Sequence, residues 1–207
     1  MNEFPIPVVQ RELIPEGTHA AICVQLIDVG TQKMVWKERV DFVRRIRLAW
    51  EFPEITREFT DDEGETKTAP AMLGRELSLS LGKRSALRGI LGTWGVLKAV
   101  EEGVGLGLLL GLPALLTVEH VEKDGKTYDN IVGVSGLPQG FSVPEPVNEP
   151  LMLHMGSAEN PQLDRHVYDS LPGWIQERIQ ESDEYKAMAI GVKTTDEIDE
   201  ELEDHGL

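Results

Sequence analysis

Cationic and aromatic side chains are concentrated in two stretches of this 207-residue chain, where they could hold a single nucleic-acid strand. The stretch from Lys33 to Trp50 has six basic and two acidic residues, and the stretch from Arg75 to Lys98 has five and one. Lysine and arginine attract phosphates, and an aromatic ring such as that of Trp36 stacks on a base. The distribution of charge by itself is explained at least as well by a surface whose lysines and arginines only contact water.

The chain does not match the sequence motifs of the common catalytic sites. The glycines of residues 103–111 do not form G-x-G-x-x-G, Gly82-Lys-Arg-Ser lacks the spacing of a Walker A loop, and Gly133-Val-Ser-Gly-Leu departs from G-x-S-x-G. The five histidines are scattered, without the spacing of a metal site. We therefore predict that the protein is not an enzyme and has no catalytic residue, metal or cofactor.

One weak alternative is a metal-dependent nuclease. Such enzymes hold Mg²⁺ with two carboxylates and use a lysine to position the attacking water. Pro53-Glu54 could combine with Glu65-x-Lys67 or with Asp124-x-Lys126 in this way. The first string lies in a polar loop, and the second is explained as a hairpin turn.

Composition places the chain among globular proteins but distributes its charge unevenly. The net charge is −16, hydrophobic residues make up 41%, and the single cysteine excludes an internal disulfide framework. The N-terminus lacks a leader pattern, and the apolar run of residues 103–118 is shorter than the ~20 residues of a spanning helix. A cytoplasmic, soluble protein is expected.

The C-terminus is an acidic tail whose last stretch, Asp196 to Leu207, has no lysine or arginine. We expect the tail to be disordered and to bind partner proteins or to compete with DNA. A solubility tail is the simpler alternative. Its acidic residues are Asp196, Glu197, Asp199, Glu200, Glu201, Glu203 and Asp204.

Alternating hydrophobicity predicts three strands, then a helix, then a hairpin. The first strand begins at Thr18. The second runs from Val40 to Phe52, with Phe42, Ile46, Leu48 and Trp50 in the core and Arg45 and Arg47 exposed, and Pro53 ends it. The third contains Leu77, Leu79 and Leu81. Ser85 is the expected N-cap of the helix, and Asp124-Gly125 is typical of a primed turn between the last two strands.

This order is that of the OB-fold, so we predict a mainly β protein with a five-stranded OB-fold-like Greek-key barrel and a short helix between strands 3 and 4. Another small barrel or an α+β meander would give the same order. A C-terminal helical extension follows, with Ser170 as N-cap and an apolar face that includes Trp174. The predicted divisions are an N-terminal arm (1–17), the barrel (18–137), a Pro-rich linker (138–166), the helical segment (167–190) and the acidic tail (191–207).

In an OB-fold, strands 2 and 3 and their flanking loops form the groove that binds nucleic acid. Both basic stretches fall on these parts. We therefore expect DNA to contact Lys33, Trp36, Lys37, Arg45, Arg47, Lys83, Arg84 and Arg88. Replacing Arg45 and Arg47 by glutamate is expected to weaken binding while leaving the melting temperature nearly unchanged. Trp36 could instead pack against the barrel.

Several segments resemble a family of phage and prophage single-stranded-DNA-binding proteins. They are residues 16–32 (EGTHAAICVQLIDVGTQ), the Arg45-x-Arg-Leu-x-Trp-Glu-Phe-Pro strand, residues 112–118 (LPALLTV), residues 126–131 (KTYDNI) and residues 167–176 (VYDSLPGWIQ). The resemblance spans residues 13–190 and departs at the glycine-rich residues 92–107. It implies an OB-fold core that coats single strands during DNA replication or recombination, with no catalytic residues.

The alternative to a DNA binder is an OB-like adaptor that recruits replication or recombination enzymes without binding DNA itself. Its acidic tail and C-terminal helix would make those contacts. Under either hypothesis the partners are replication or recombination proteins, with self-association possible and no membrane involved.

Overall fold

The computed structural model describes residues 12–60, 64–157 and 159–189, and antiparallel strands dominate them. The strands are β1 (Gly17–Trp36), β2 (Arg39–Thr60), β3 (Thr66–Ser78), β4 (Pro113–Lys123), β5 (Lys126–Ser135) and a short β6 (Leu151–Leu153). The helices are α1 (Ala86–Trp94), α2 (Leu97–Glu101), α3 (Arg165–Asp169) and α4 (Gly173–Gln180), with a 3-10 turn at Leu106–Leu109. Residues 183–189 are also helical.

The five long strands form one curled sheet in the order β3-β2-β1-β4-β5. The Arg75 side chain of β3 donates to the carbonyl oxygen of Ile131 in β5 at 3.1 Å, which brings the two outer strands together. Helix α1 lies between β3 and β4 in the chain. This curled half-barrel of five strands confirms the predicted fold class, a mainly β protein with a five-stranded OB-fold-like barrel.

Local signals located α1 and the last hairpin correctly. The Ser85 side chain accepts a hydrogen bond from the Arg88 N–H and caps α1, whose apolar side packs into the barrel. Asp124 and Gly125 both have positive φ, at 52° and 73°, as a primed turn requires. Both features depend on neighbouring residues only, so a sequence pattern is sufficient to predict them.

The predicted bounds of the second and third strands were wrong. β2 passes through Pro53 and continues to Thr60, because the pairing with β3 shifts register between Phe52 and Thr56 and accommodates the proline. β3 ends at Ser78, so Leu79 and Leu81 lie beyond it with exposed side chains.

Two apolar clusters hold the described part of the chain together. The first fills the barrel and includes Trp50, Phe52 and Leu48 of β2. The second lies on the other side of β1 and joins it to the C-terminal part of the chain. Its buried members are Ile27, Val29, Leu153, Met155, Tyr168, Leu171, Ile175 and Ile179. The segment predicted as a linker contributes to this cluster through β6, which pairs in parallel with β1.

The C-terminal helices differ in detail from the prediction. Ser170 ends α3, and its hydroxyl donates to the carbonyl oxygen of Val167, so it is not the N-cap of α4. α4 starts after Pro172 and buries Ile175 and Ile179. Trp174 was expected on that apolar face, but its side chain is 57% exposed.

Candidate nucleic-acid interface

The outer face of β2 and β3 is the predicted groove, and Arg45 on it is neutralised. Its Nε donates to Glu76 Oε1 at 2.8 Å and its Nη1 to Ser78 Oγ at 3.1 Å. Both acceptors belong to β3, the neighbouring strand. The Arg45 side chain is only 18% exposed. The sequence pattern had placed it on an exposed surface, and that prediction is wrong.

Helix α4 covers this face. Arg178 of α4 donates to Glu76 Oε1 at 3.2 Å and to Gln32 Oε1 at 2.8 Å, so Glu76 is shared between Arg45 and Arg178. The ring of Trp174 lies 4.8 Å from the guanidinium carbon of Arg47. Arg47 is therefore packed beneath α4 and does not face solvent as an open cation.

Close packing against β3 completes the enclosure of Arg47. A Cβ on Gly74 would lie 2.1 Å from Arg47 Nη2, so only glycine leaves room for the guanidinium at this position. Register places Arg47 directly opposite Glu76. The guanidinium group thus lies between the backbone of β3 and the Trp174 ring.

The next part of the same face is covered by the segment before β6. Glu51 is fully buried and accepts hydrogen bonds from the N–H groups of Val147 and Asn148 at 2.7 and 2.9 Å. Ala49, between Arg47 and Glu51, is also buried. The predicted groove is consequently occupied by the protein's own chain along this stretch of β2.

Docking of α4 on Glu76 is expected to depend on pH. Burial raises the pKa of the Glu76 carboxyl, but hydrogen bonds from Arg178 and Arg45 outweigh it and hold the pKa below its ordinary value. A lowered pKa in the folded state means that the stabilisation is complete above the unfolded pKa of about 4.3 and is lost as pH falls through the folded value. At pH 7, Glu76→Gln should lower the free energy of unfolding by about 1–2 kcal/mol.

The measurement is urea denaturation of both proteins between pH 7 and pH 3. The difference should shrink as pH falls through the lowered pKa of Glu76, because the wild-type carboxylate then becomes protonated as well. Glu181→Gln is the control, since Glu181 also accepts from Arg178, at 2.9 Å, but is largely exposed. A Glu76→Gln deficit that stays constant over the whole range would show that the carboxylate charge is not the stabilising group.

Lys33 and Lys37 lie on a two-stranded ribbon formed by residues 31–44, which extends beyond the barrel. Register pairs Thr31 with Arg44 at its base and Trp36 with Arg39 near its tip. Lys37 begins the turn with a φ of 55°. Both lysine side chains are exposed. The side chain of Trp36, the predicted stacking platform, lies outside the described part of the structure.

Lys83 and Arg84 lie in the loop between β3 and α1 and are exposed. Neither makes an ion pair within the described residues. The Leu79 N–H donates to the carbonyl oxygen of Arg44 at 2.8 Å, so this loop starts beside the base of the ribbon. Arg88 differs, because its guanidinium bonds to Glu101 and to the carbonyl oxygen of Leu81.

The sequence prediction thus combined two surfaces that the structure separates. Arg45 and Arg47 lie beneath α4, and Arg88 is paired. The other four predicted cations are exposed, on the ribbon and on the loop that starts beside its base, and are here called the rim surface: Lys33, Lys37, Lys83 and Arg84.

Phe42 is an exposed aromatic residue that sequence reasoning placed wrongly, because its alternation with Ile46 and Leu48 assigned it to the core. Its side chain is 62% exposed, and it stands opposite Lys33 in the ribbon. The informative signal was on the partner strand, where the long apolar run ends near Asp28 and leaves nothing to enclose Phe42.

Comparison with protein-family models and with curated protein sequences finds no match to this chain. In the ranges that the structure describes, no helix is long and apolar enough to cross a membrane. Within those same ranges, no three histidine, cysteine or acidic side chains are grouped to hold a metal ion. Burial raises the pKa of the Cys23 thiol to about 12, so this thiol stays protonated at neutral pH.

Proposed function

We propose that this chain is a non-catalytic, sequence-tolerant binder of single-stranded DNA that captures the strand on the rim surface. The observation that carries the proposal is the location of four exposed cations of an OB-like barrel on the ribbon and on the loop that starts beside its base. The ribbon is the connection between strands 1 and 2, which in this fold is a usual binding part together with the face of strands 2 and 3 and the loop between strands 4 and 5. Phosphates would pair with the cations without reading sequence.

The proposed setting is phage DNA replication or recombination in the cytoplasm of a bacterial host, with the acidic tail recruiting partner proteins. The chain as a whole is strongly acidic, at −16, so its overall field repels DNA. Capture must therefore come from a local patch, which makes the affinity steeply dependent on salt.

The test is the double reversal Lys83→Glu with Arg84→Glu, which removes half of the rim surface. Both side chains are exposed, so the fold should persist. Affinity for a labelled dT oligonucleotide should fall by about tenfold or more at low salt, and the slope of log K against log salt should become shallower by about 1.4 for two lost phosphate contacts. Fluorescence anisotropy over a salt series measures both quantities.

Lys98→Glu with Arg165→Glu is the matched control. These two cations are exposed on the short helices α2 and α3, outside the rim surface and outside the loops that bind nucleic acid in this fold. The change in net charge is identical. If both double variants lose affinity equally, a general charge effect replaces the rim surface as the explanation.

The covering of the sheet face by α4 favours a second function, the adaptor that recruits replication or recombination enzymes. A groove closed by the protein's own chain is an argument against direct DNA binding there. Affinity capture from host lysate before and after nuclease treatment separates the two functions. An adaptor keeps its partners when DNA is destroyed, whereas partners bridged by DNA are lost.

A further inference from the structure

The ribbon of residues 31–44 has two chemically different faces. Directly paired residues, and residues two apart on one strand, share a face. Register pairs Lys33 with Phe42 and Val35 with Val40, so these four residues share one face. Met34 and Asp41 occupy the other, where Asp41 accepts a hydrogen bond from Arg39 Nε at 2.8 Å.

The four residues of the first face are three apolar side chains and one cation, and the acid nearest to them in this face, Glu184, is held at the ribbon base by Thr31 and Arg44. Phe42, Val35 and Val40 are all exposed, at 62%, 64% and 47%. They continue the inward-facing side of β2, since Ile46 and Leu48 have the same alternation and are buried in the barrel. Beyond Arg44 the barrel ends, and the same side of the strand projects into solvent.

The segment after β3, which has the other two cations of the rim surface, lies beside the base of the ribbon. Arg45 pairs with Ser78, and Leu79 N–H bonds to the Arg44 carbonyl, so the chain after β3 runs beside the ribbon base. Leu79 and Leu81 are partly exposed there, followed by Lys83 and Arg84. From its base to its tip the ribbon rises by about 17 Å, at roughly 3.3 Å per residue.

We infer that the Phe42 face of the ribbon is a stacking site for unpaired nucleobases, with Phe42 as the aromatic platform and Lys33 holding the adjacent phosphate. The inference rests on the proposed function. It adds base stacking to the contacts between phosphates and cations. Bases carry π-faces that stack on an aromatic ring, and the phosphates between them carry the charge that a neighbouring lysine neutralises. A ring directly opposite a cation, with two apolar neighbours towards the ribbon tip, fits this ligand.

The test compares Phe42→Ala, Phe42→Leu and Phe42→Trp with wild-type protein on two probes. One is a dT oligonucleotide, and the other is an abasic oligonucleotide of equal length, which keeps the phosphates but lacks the bases. Loss of one stacked base should weaken dT binding about 5- to 150-fold, corresponding to ~1–3 kcal/mol, in the alanine variant. The leucine variant should lose nearly as much, and the tryptophan variant should bind at least as well as wild type.

Binding of the abasic probe should be equal in all four proteins, because the cations are unchanged. Phe141→Ala is the matched control, since Phe141 is similarly exposed, at 69%, in the segment before β6. Equal dT affinity for wild type, Phe42→Ala and Phe42→Leu would overturn the stacking site while leaving cationic capture intact. If wild type binds neither probe, the proposed function fails and the inference fails with it.

The Phe42 face could instead bind a second copy of this chain. Analytical ultracentrifugation of the same proteins tests this alternative by measuring their mass in solution. Apolar ribbons can pair with each other, and then Phe42→Ala would convert a wild-type dimer into a monomer. That result, together with unchanged dT affinity per chain, would assign the face to self-association and overturn the inference. A monomeric mass for both wild type and variant supports the nucleobase as the ligand of this face.

Discussion

Replacing Arg44 by methionine is expected to lower the free energy of unfolding by about 3–5 kcal/mol, because two buried carboxylates would lose their counter-ion. Arg44 Nη2 lies 2.5 Å from Asp28 Oδ2, and its Nη1 lies 3.7 Å from Glu184 Oε1. Asp28 and Glu184 are only 4% and 2% exposed. The hydrogen bond with Asp28 raises the pKa of Arg44 above its already high ordinary value, so the guanidinium stays charged.

This cluster also fastens the C-terminal chain to the base of the ribbon. Glu184 accepts hydrogen bonds from the Thr31 N–H and hydroxyl at 2.7 and 2.8 Å. Asp28 accepts from the Met155 N–H at 3.2 Å, and the Arg44 guanidinium donates to the carbonyl oxygen of Gly156. Loss of Arg44 would therefore weaken the contacts that join β1, the segment after β6 and the C-terminal helical residues.

Urea denaturation provides the measurement, with Arg39→Met as the control. Arg39 also pairs with an aspartate, Asp41, but it is highly exposed, so its loss should change stability by no more than about 0.5 kcal/mol. Adding Asp28→Asn and Glu184→Gln to Arg44→Met should restore part of the stability, because the unpaired charges are removed. Equal effects of Arg44→Met and Arg39→Met would show that the buried cluster is not stabilising.

Sequence patterns predicted the order of the elements because each depends on short-range signals. Ser85 caps α1 and Asp124-Gly125 turns the last hairpin through contacts within three residues. The alternation in β2 also assigned Ile46, Leu48 and Trp50 to the barrel interior correctly. Such patterns report which side of a strand a residue faces.

They do not report how far the barrel extends or what covers its outer side. Phe42 has the alternation of a core residue, but it lies past the end of the barrel, a boundary set by the partner strands. The exposure predicted for Arg45 and Arg47 failed because α4 returns over β2, and Arg178 and Glu76 are 102 residues apart in sequence. No local pattern in β2 indicates a contact so distant.

The cover over Arg45 and Arg47 is held by apolar burial as well as by charge. Ile175 and Ile179 of α4 are buried against Ile27 and Val29 of β1. Full burial of one such side chain stabilises by roughly 1.5–3 kcal/mol, so the four together far exceed the ~1–3 kcal/mol that one stacked base supplies. One stacked base would therefore not displace α4, and for this reason we propose the rim surface and not the sheet face as the place where the strand binds.

The double reversal Arg45→Glu with Arg47→Glu is accordingly expected to destabilise the fold, by about 3–5 kcal/mol or more. Arg45→Glu places a carboxylate where a guanidinium lies 2.8 Å from Glu76, and Arg47 stands directly opposite Glu76 in the register. Like charges on directly paired strand residues repel, and this part of the face is shielded from water by α4. The earlier expectation of a nearly unchanged melting temperature assumed exposed side chains and no longer applies.

Thermal and urea denaturation of this variant should be compared with Lys83→Glu and Arg84→Glu, which changes the charge by the same amount on exposed residues. The structure requires opposite outcomes for the two. The β2 variant should lose stability, with any loss of DNA affinity following the fraction unfolded, whereas the loop variant should keep its stability and lose affinity directly. A stable β2 variant with strongly weakened DNA binding would instead mean that α4 leaves the sheet and that the open groove is the binding surface.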